Sequence, residues 1–292
     1  MTYRIVHRTT YKYKYPVVFG NHVACLTPRT LDHHRCHWSE LRITPQPASR
    51  SDRLDYYGNQ ISLFTIQQPH KQLVVEARSE VSIEGRRPGM PPSSPAWEDV
   101  ARVLPEDRSA AGLAAYQFVF ESSRIKPSAE FALYAIKSFT PGRPWADALL
   151  DLTARIHKDF LFDAKATNVR TSTEEVFRKR RGVCQDFAHL QIACLRSLKL
   201  PARYVSGYLR TYPPPGRPRL IGADASHAWA SAFCPGSGWL DVDPTNNLIV
   251  GDGHVTLGWG RDYGEVSPLR GLILGGRDHT LKVSVDVEPL EE

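Results

Sequence analysis

The sequence has no run of eighteen or more apolar residues, so no helix long enough to span a bilayer is expected, and no membrane partner. Its opening, MTYRIVHRTTYKYKY, lacks a short apolar core followed by a small-residue cleavage site and does not read as a signal peptide. No two cysteines are spaced as CxxC. The five, at positions 25, 36, 184, 194 and 234, are odd in number, which suits free thiols in a reducing compartment and predicts a cytoplasmic protein. There is no clustered acidic loop of the calcium-binding kind, and no cofactor is expected. The cluster His33, His34, Cys36 and His37 has no second half at zinc-like spacing, so no metal is expected there either. Basic residues outnumber acidic ones 37 to 31, for a net charge of +6, but they are scattered and carry no nucleic-acid-binding signature. The densest run, Arg178 to Arg181, suits the C-terminus of a helix, so no nucleic-acid partner is expected. Internal repeats are also lacking, and nothing specifies an oligomeric state.

What is present falls into stretches of different character. Residues 1–85 read as short strands: Tyr11, Tyr13 and Tyr15 alternate with Lys12 and Lys14 up to Pro16, residues 41–44 stop at Pro45, and residues 61–66 follow a turn at 55–59. Residues 73–83 alternate through Val75, Ala77, Val81 and Ile83. This punctuation by Pro and Gly predicts an N-terminal β-sandwich domain over 1–85. Residues 86–109, with Pro88, Gly89, Pro91, Pro92 and Pro95, read as a linker. Residues 110–292 form the second domain. There Pro127 precedes a helical pattern over 129–139, and Pro144 opens another with Trp145, Ala148, Leu149, Leu152 and Ile156 on one face. Ser172 to Glu175 is a capping box. Residues 202–209, 227–233, 239–243 and 281–287 read as strands, and Pro213 to Gly216 ends the first of them. Helices followed by strands predict an α+β domain, its antiparallel sheet lying against a helix that begins at Cys184.

That helix carries the chemistry. Gly182 breaks the preceding segment, and Phe187, Leu190, Cys194 and Leu198 form an apolar stripe. Cys184 would be its first residue, where unpaired N–H groups and the helix dipole favour thiolate over thiol. A small buried hydrophobe is the competing reading of any one cysteine. A nucleophile needs a base and a group to orient it. His227 opens one strand and Asp243 closes the next across the short loop at 235–238. If the strands pair as a hairpin, the two are neighbours on one edge. Asp241 shares a strand face with Asp243 and competes for the orienting role. His189, five residues along the helix, falls off the face of Cys184. Trp229 and Trp239 read as core or cleft wall, Asp186 as a first-turn helix residue, and Cys194 and Cys234 as structural.

Gly182-Val183-Cys184-Gln185-Asp186-Phe187, Ser226-His227-Ala228-Trp229 and Asp243-Pro244-Thr245-Asn246 resemble, in order and rough spacing, three signature segments of the transglutaminase-like superfamily. The bacterial branch is similar over nearly the whole chain, through Asp55-Tyr56-Tyr57-Gly58-Asn59, Pro69-His70 and Gly260-Arg261-Asp262-Tyr263-Gly264. The resemblance implies a papain-like, transglutaminase-like core behind the β-sandwich. It also implies Cys184 as nucleophile, His227 as base and later acid, and Asp243 as orienter. The implied activity is acyl transfer at amide bonds through a thioester, as a cysteine protease on a peptide or protein substrate. A glutamine-directed transglutaminase or deamidase is the alternative, with a non-catalytic peptide-binding module of the same fold beside it. The Cys184 backbone N–H is the first oxyanion donor to expect, and the Tyr208 hydroxyl a candidate for the second.

Overall fold

The computed structural model describes residues 1–84, 94–211 and 225–290. Most of the proline-rich part of the expected linker, and the turn at 213–216, lie outside the described residues.

The first sheet is built around one long strand. β1 (Thr2–Ala24) is followed by β2 (His34–Thr44), β3 (Ser49–Leu54), β4 (Gln60–Ile66) and β5 (His70–Ile83), in the order β2-β5-β1-β4-β3. The tyrosine alternation predicted a strand ending at Pro16, but β1 runs through it. Proline removes one N–H from the ladder, and here β1 changes partner instead of stopping. Up to Lys12 it pairs with β5; the register then slips, and from Gly20 it pairs with β4. The sheet folds over on itself at this point. Leu73 and Val75 from β5 are buried in one cluster with Val17 of β1 and with Phe64 and Ile66 of β4, which makes the N-terminal sandwich.

Helices follow: α1 (Trp97–Val103), α2 (Ala110–Tyr116), α3 (Ala129–Ala135), α4 (Trp145–Asp159), α5 (Thr173–Lys179) and α6 (Cys184–Ser197). Trp145, Ala148, Leu149, Leu152 and Ile156 of α4 are all buried, as their spacing predicts. The Ser172 hydroxyl accepts the Glu175 N–H at 3.2 Å and starts α5. Two short parallel strands, β6 (Leu161–Phe162) and β7 (Arg181–Gly182), deliver the chain to α6. α6 is the core of this half, with every residue from Asp186 to Arg196 buried.

Five antiparallel strands lie against it: β8 (Ala202–Leu209), β9 (Ala225–Cys234), β10 (Gly238–Asp243), β11 (Leu248–Ile249) and β12 (His254–Gly260), in the order β11-β10-β9-β8-β12. Ala228, Ala230, Ala232 and Cys234 share the core cluster of α6, small enough to let the helix lie close. Alternation turns His227, Trp229, Ser231 and Phe233 to the other face. A short helix, α7 (Tyr263–Val266), leads to β13 (Leu269–Gly275) and β14 (His279–Pro289).

Those last two strands return to the first sheet. β14 pairs with β1 from Tyr3 to Tyr13, and β13 pairs with it from Val17 to Ala24. The boundary expected at 86–109 puts residues 269–289 with the second domain, yet they complete the sheet of the first. The reason is β1 itself, since a 23-residue strand would otherwise leave one edge of unpaired backbone. Tyr3, Ile5, Val285 and Val287 then pack on Tyr208, Val255 and Leu257, which joins the two halves. Among the described residues no helix is long and apolar enough to cross a membrane.

Candidate active site

The start of α6 is fixed by a close approach of backbone. A Cβ on Gly182 would lie 2.8 Å from Asp186 Oδ2 and 2.9 Å from its Cβ, so only glycine fits. The room is taken by Asp186, which folds back to accept the Val183 N–H at 2.9 Å and the Thr167 hydroxyl at 2.6 Å. Burial raises the pKa of this carboxyl, against those two hydrogen bonds. Asp186 fastens the helix end, as a first-turn acidic residue should. Cys184 is half-buried at that end, the first residue of α6.

The β9–β10 hairpin brings the other two groups together. Its register pairs Val242 with Ala230, so Asp243 lies diagonally from His227 on the same face. His227 Nε2 is 2.7 Å from Asp243 Oδ2. Burial alone would strip the proton from His227, but hydrogen bonds to Asp243 and Cys184, with the charges of both, push its pKa up to about 10. With Nε2 on the carboxylate, Nδ1 is the ring nitrogen left to face the sulfur. Burial would also raise the Asp243 carboxyl, yet the hydrogen bonds from His227, His254 and Asn246 and the His227 charge hold it well below the carboxylate range.

Asp243 is surrounded by donors, two of which sequence reasoning gave no role. The Asn246 amide donates to Oδ2 at 2.7 Å, and His254 Nε2 lies 3.2 Å from the same oxygen. Oδ1 accepts the backbone N–H groups of Thr245 at 2.8 Å and Asn246 at 3.2 Å. Asn246 stood in the third signature segment, which was the signal available for it. His254 had none, because it reaches Asp243 from β12, across the sheet. It gets there over Gly207 of β8, where a Cβ would meet the Trp229 ring at 2.5 Å. Trp229 is fully buried against His254, with ring centroids 5.3 Å apart. His227, Asp243 and His254 present three ligand atoms within 4.8 Å of one another, a set whose donor types suit a divalent cation.

Other expected groups lie elsewhere. Asp241, the rival orienter, accepts the Trp229 indole N–H at 3.2 Å. The Tyr208 hydroxyl, the candidate second oxyanion donor, is engaged on the sandwich side. It bonds His7 of β1 at 3.0 Å. His189 accepts the Tyr263 N–H at 3.1 Å, and burial pushes its pKa down to about 3. In the early cluster, His34 bonds the Arg29 carbonyl and the Thr256 N–H, while His37 bonds Ser82.

Similarity to known proteins identifies the family. Residues 3–82 match the bacterial transglutaminase-like N-terminal region, and residues 137–244 match the transglutaminase-like superfamily. A solved structure of a candidate cysteine protease from Cytophaga hutchinsonii superposes with a TM-score of 0.77, covering 100% of this chain and 92% of that one. At 20% identity that likeness is one of fold. A protein-glutamine gamma-glutamyltransferase of Pseudomonas aeruginosa shares 35% identity over 30% of this chain and 14% of its own. An uncharacterized protein of Mycobacterium tuberculosis is 42% identical across 99% of this chain and 93% of its own length. With similarity of that extent and both family regions in place, the chain belongs to the transglutaminase-like superfamily.

Proposed function

We propose that this protein is a cysteine enzyme that hydrolyses peptide or isopeptide bonds through a thioester, with Cys184, His227 and Asp243 as its triad. The observation that carries the reading is the buried 2.7 Å bond between His227 Nε2 and Asp243 Oδ2, with Cys184 close enough to help raise the pKa of the same imidazole. The Cys184 proton passes to His227, and the sulfur attacks the amide carbonyl. The carbon–nitrogen bond breaks as His227 protonates the leaving amine, which leaves an acyl-thioester. Water then attacks, giving a proton to His227, and the acid departs as the thiol is restored. Asp243 stays ionised throughout and orients the imidazolium. All five cysteines are unpaired, which suits a reducing compartment, and we place the protein in the cytoplasm.

Transfer to an amine is the second reading, favoured by the segment shared with the Pseudomonas aeruginosa enzyme. One experiment separates the two. A peptide library is incubated with the protein, with and without a primary amine, and read by mass spectrometry with Cys184→Ala as control. Cleavage is the expected result. An added amine mass would make it a transferase, and a gain of about one dalton at glutamine a deamidase. In parallel, iodoacetamide at neutral pH should label Cys184 faster than the other four cysteines, and His227→Ala should abolish the preference. Equal labelling of all five would overturn the activated thiolate.

A further inference from the structure

Between the sandwich and the core lies a buried cation that is short of hydrogen-bond acceptors among the described residues. Arg203 of β8 is only 8% exposed. Its guanidinium is clamped between two indoles, 4.0 Å from the Trp239 ring centroid and 3.8 Å from that of Trp259. Stacking stabilises the charge but accepts none of its N–H donors. Among the described residues Arg203 Nε has no hydrogen-bond partner, and neither has the buried hydroxyl of Ser231, its cross-strand neighbour. Asp241 lies next in that row and acts on Arg203 through its charge, but its carboxylate bonds Trp229. Among the described residues the guanidinium makes no ion pair. A cavity of about 750 Å³ opens on this row, lined by Thr30, Asp32 and Glu84 from the sandwich and by Arg203, Trp239 and Asp241 from the core.

A guanidinium held rigid, desolvated and short of acceptors is costly unless something completes it. Its planar fork matches a carboxylate, which can accept two parallel bonds. Asp32, Glu84 and Asp241 line the same cavity and repel a phosphate or polyanion, so a single carboxylate fits best. Burial pushes the Arg203 pKa down to about 9, and the Asp241 charge works against that, so the group stays charged at neutral pH.

We propose that this cleft binds a carboxylate of the peptide substrate, which rests on the reading of Cys184 as an acyl-transfer nucleophile. Arg203 stands four strand positions from Gly207, the partner of His227. That is roughly 13 Å, so the carboxylate belongs to a residue about three or four positions from the scissile amide. It is either a C-terminal carboxylate or an Asp or Glu side chain. The sandwich then forms one wall of the substrate site.

The test uses the full-length Cys184→Ala protein, so that binding is read without turnover. Three pools of N-acetylated hexapeptides are compared by affinity capture and mass spectrometry. One has a free C-terminal carboxylate and no acidic side chain, one is amidated with a single Glu, and one is amidated and neutral. One of the carboxylate pools should be retained roughly tenfold or more over the neutral pool, and Arg203→Gln should erase the difference. Which pool wins identifies the source of the carboxylate. Equal retention of all three pools, or a preference that survives Arg203→Gln, overturns the proposal. If Arg203→Gln does not fold, the comparison of acid and amide pools on Arg203 protein decides alone. Turnover without a carboxylate preference would remove the cleft and keep the triad, while carboxylate binding without turnover would do the reverse.

Discussion

At His227 two opposed effects meet, and their balance has a measurable consequence. Burial favours the neutral ring, and the bonds and charges of Asp243 and Cys184 keep the proton on it up to about pH 10. The imidazolium must protonate the leaving amine, so the alkaline limb of kcat/KM should lie near 10, far above the 6.5 of a free histidine. The sign for stability is the same. A group whose pKa is raised on folding contributes fully below the unfolded value and loses that contribution as pH rises through the folded one. Asp243→Asn removes the charge and the correct hydrogen-bond partner. A pH–rate profile should then show the limb moved towards neutrality, with kcat lowered by about two orders of magnitude or more. An unchanged limb would mean that the carboxylate does not act through His227. The pairing itself was legible in the sequence, because a short loop between two alternating strands forces the start of one beside the end of the next. The choice between Asp241 and Asp243 was not legible from alternation, which puts both on one face. His254 was hidden for another reason: it comes from a strand that follows β10 in sequence but lies at the opposite edge of the sheet.

At the scale of the element, β8 shows how backbone shape serves the site. Gly207 sits where a Cβ would lie 2.2 Å from the Val255 carbonyl oxygen and 2.5 Å from the Trp229 ring. Gly207→Ala must therefore push Trp229 and β12 apart, and with them His254 away from Asp243. Overpacking of this kind costs about 1–3 kcal/mol, so urea unfolding should show at least that loss together with reduced activity. Wild-type stability and rate in the variant would mean that the strands separate freely here. The fold was legible where one face is buried and the other is not. The α4 stripe and the alternation in β5 are such cases. β3 is exposed at all six residues and β12 is buried at all but one, so neither shows a period of two. β1 was cut short at Pro16 because a proline in an alternating run reads as a stop, whereas here it marks a change of partner.

For the molecule as a whole, the two ends of the chain close one structure, and that closure can be broken. β13 and β14 cover the free edge of β1 along most of its length. Val285 and Val287 are 1% and 0% exposed in the cluster that joins sandwich to core, beside Tyr208 of β8. His7 on β1 bonds that same tyrosine, and His34 reaches the Thr256 N–H of β12, so the joint is polar as well as apolar. A chain ending at Ser267 loses both strands. Withdrawing the two valines alone removes about 3–6 kcal/mol, comparable with the whole stability of many domains, before any backbone hydrogen bond is counted. The shortened protein should lose its cooperative unfolding transition in urea and expose a β1 edge prone to aggregation. A synthetic peptide of residues 268–292 should restore the transition when added in excess, since it supplies the missing strands rather than a charge or a ligand. A shortened chain that unfolds at the same urea midpoint as the full one would show that β1 needs only one covered edge.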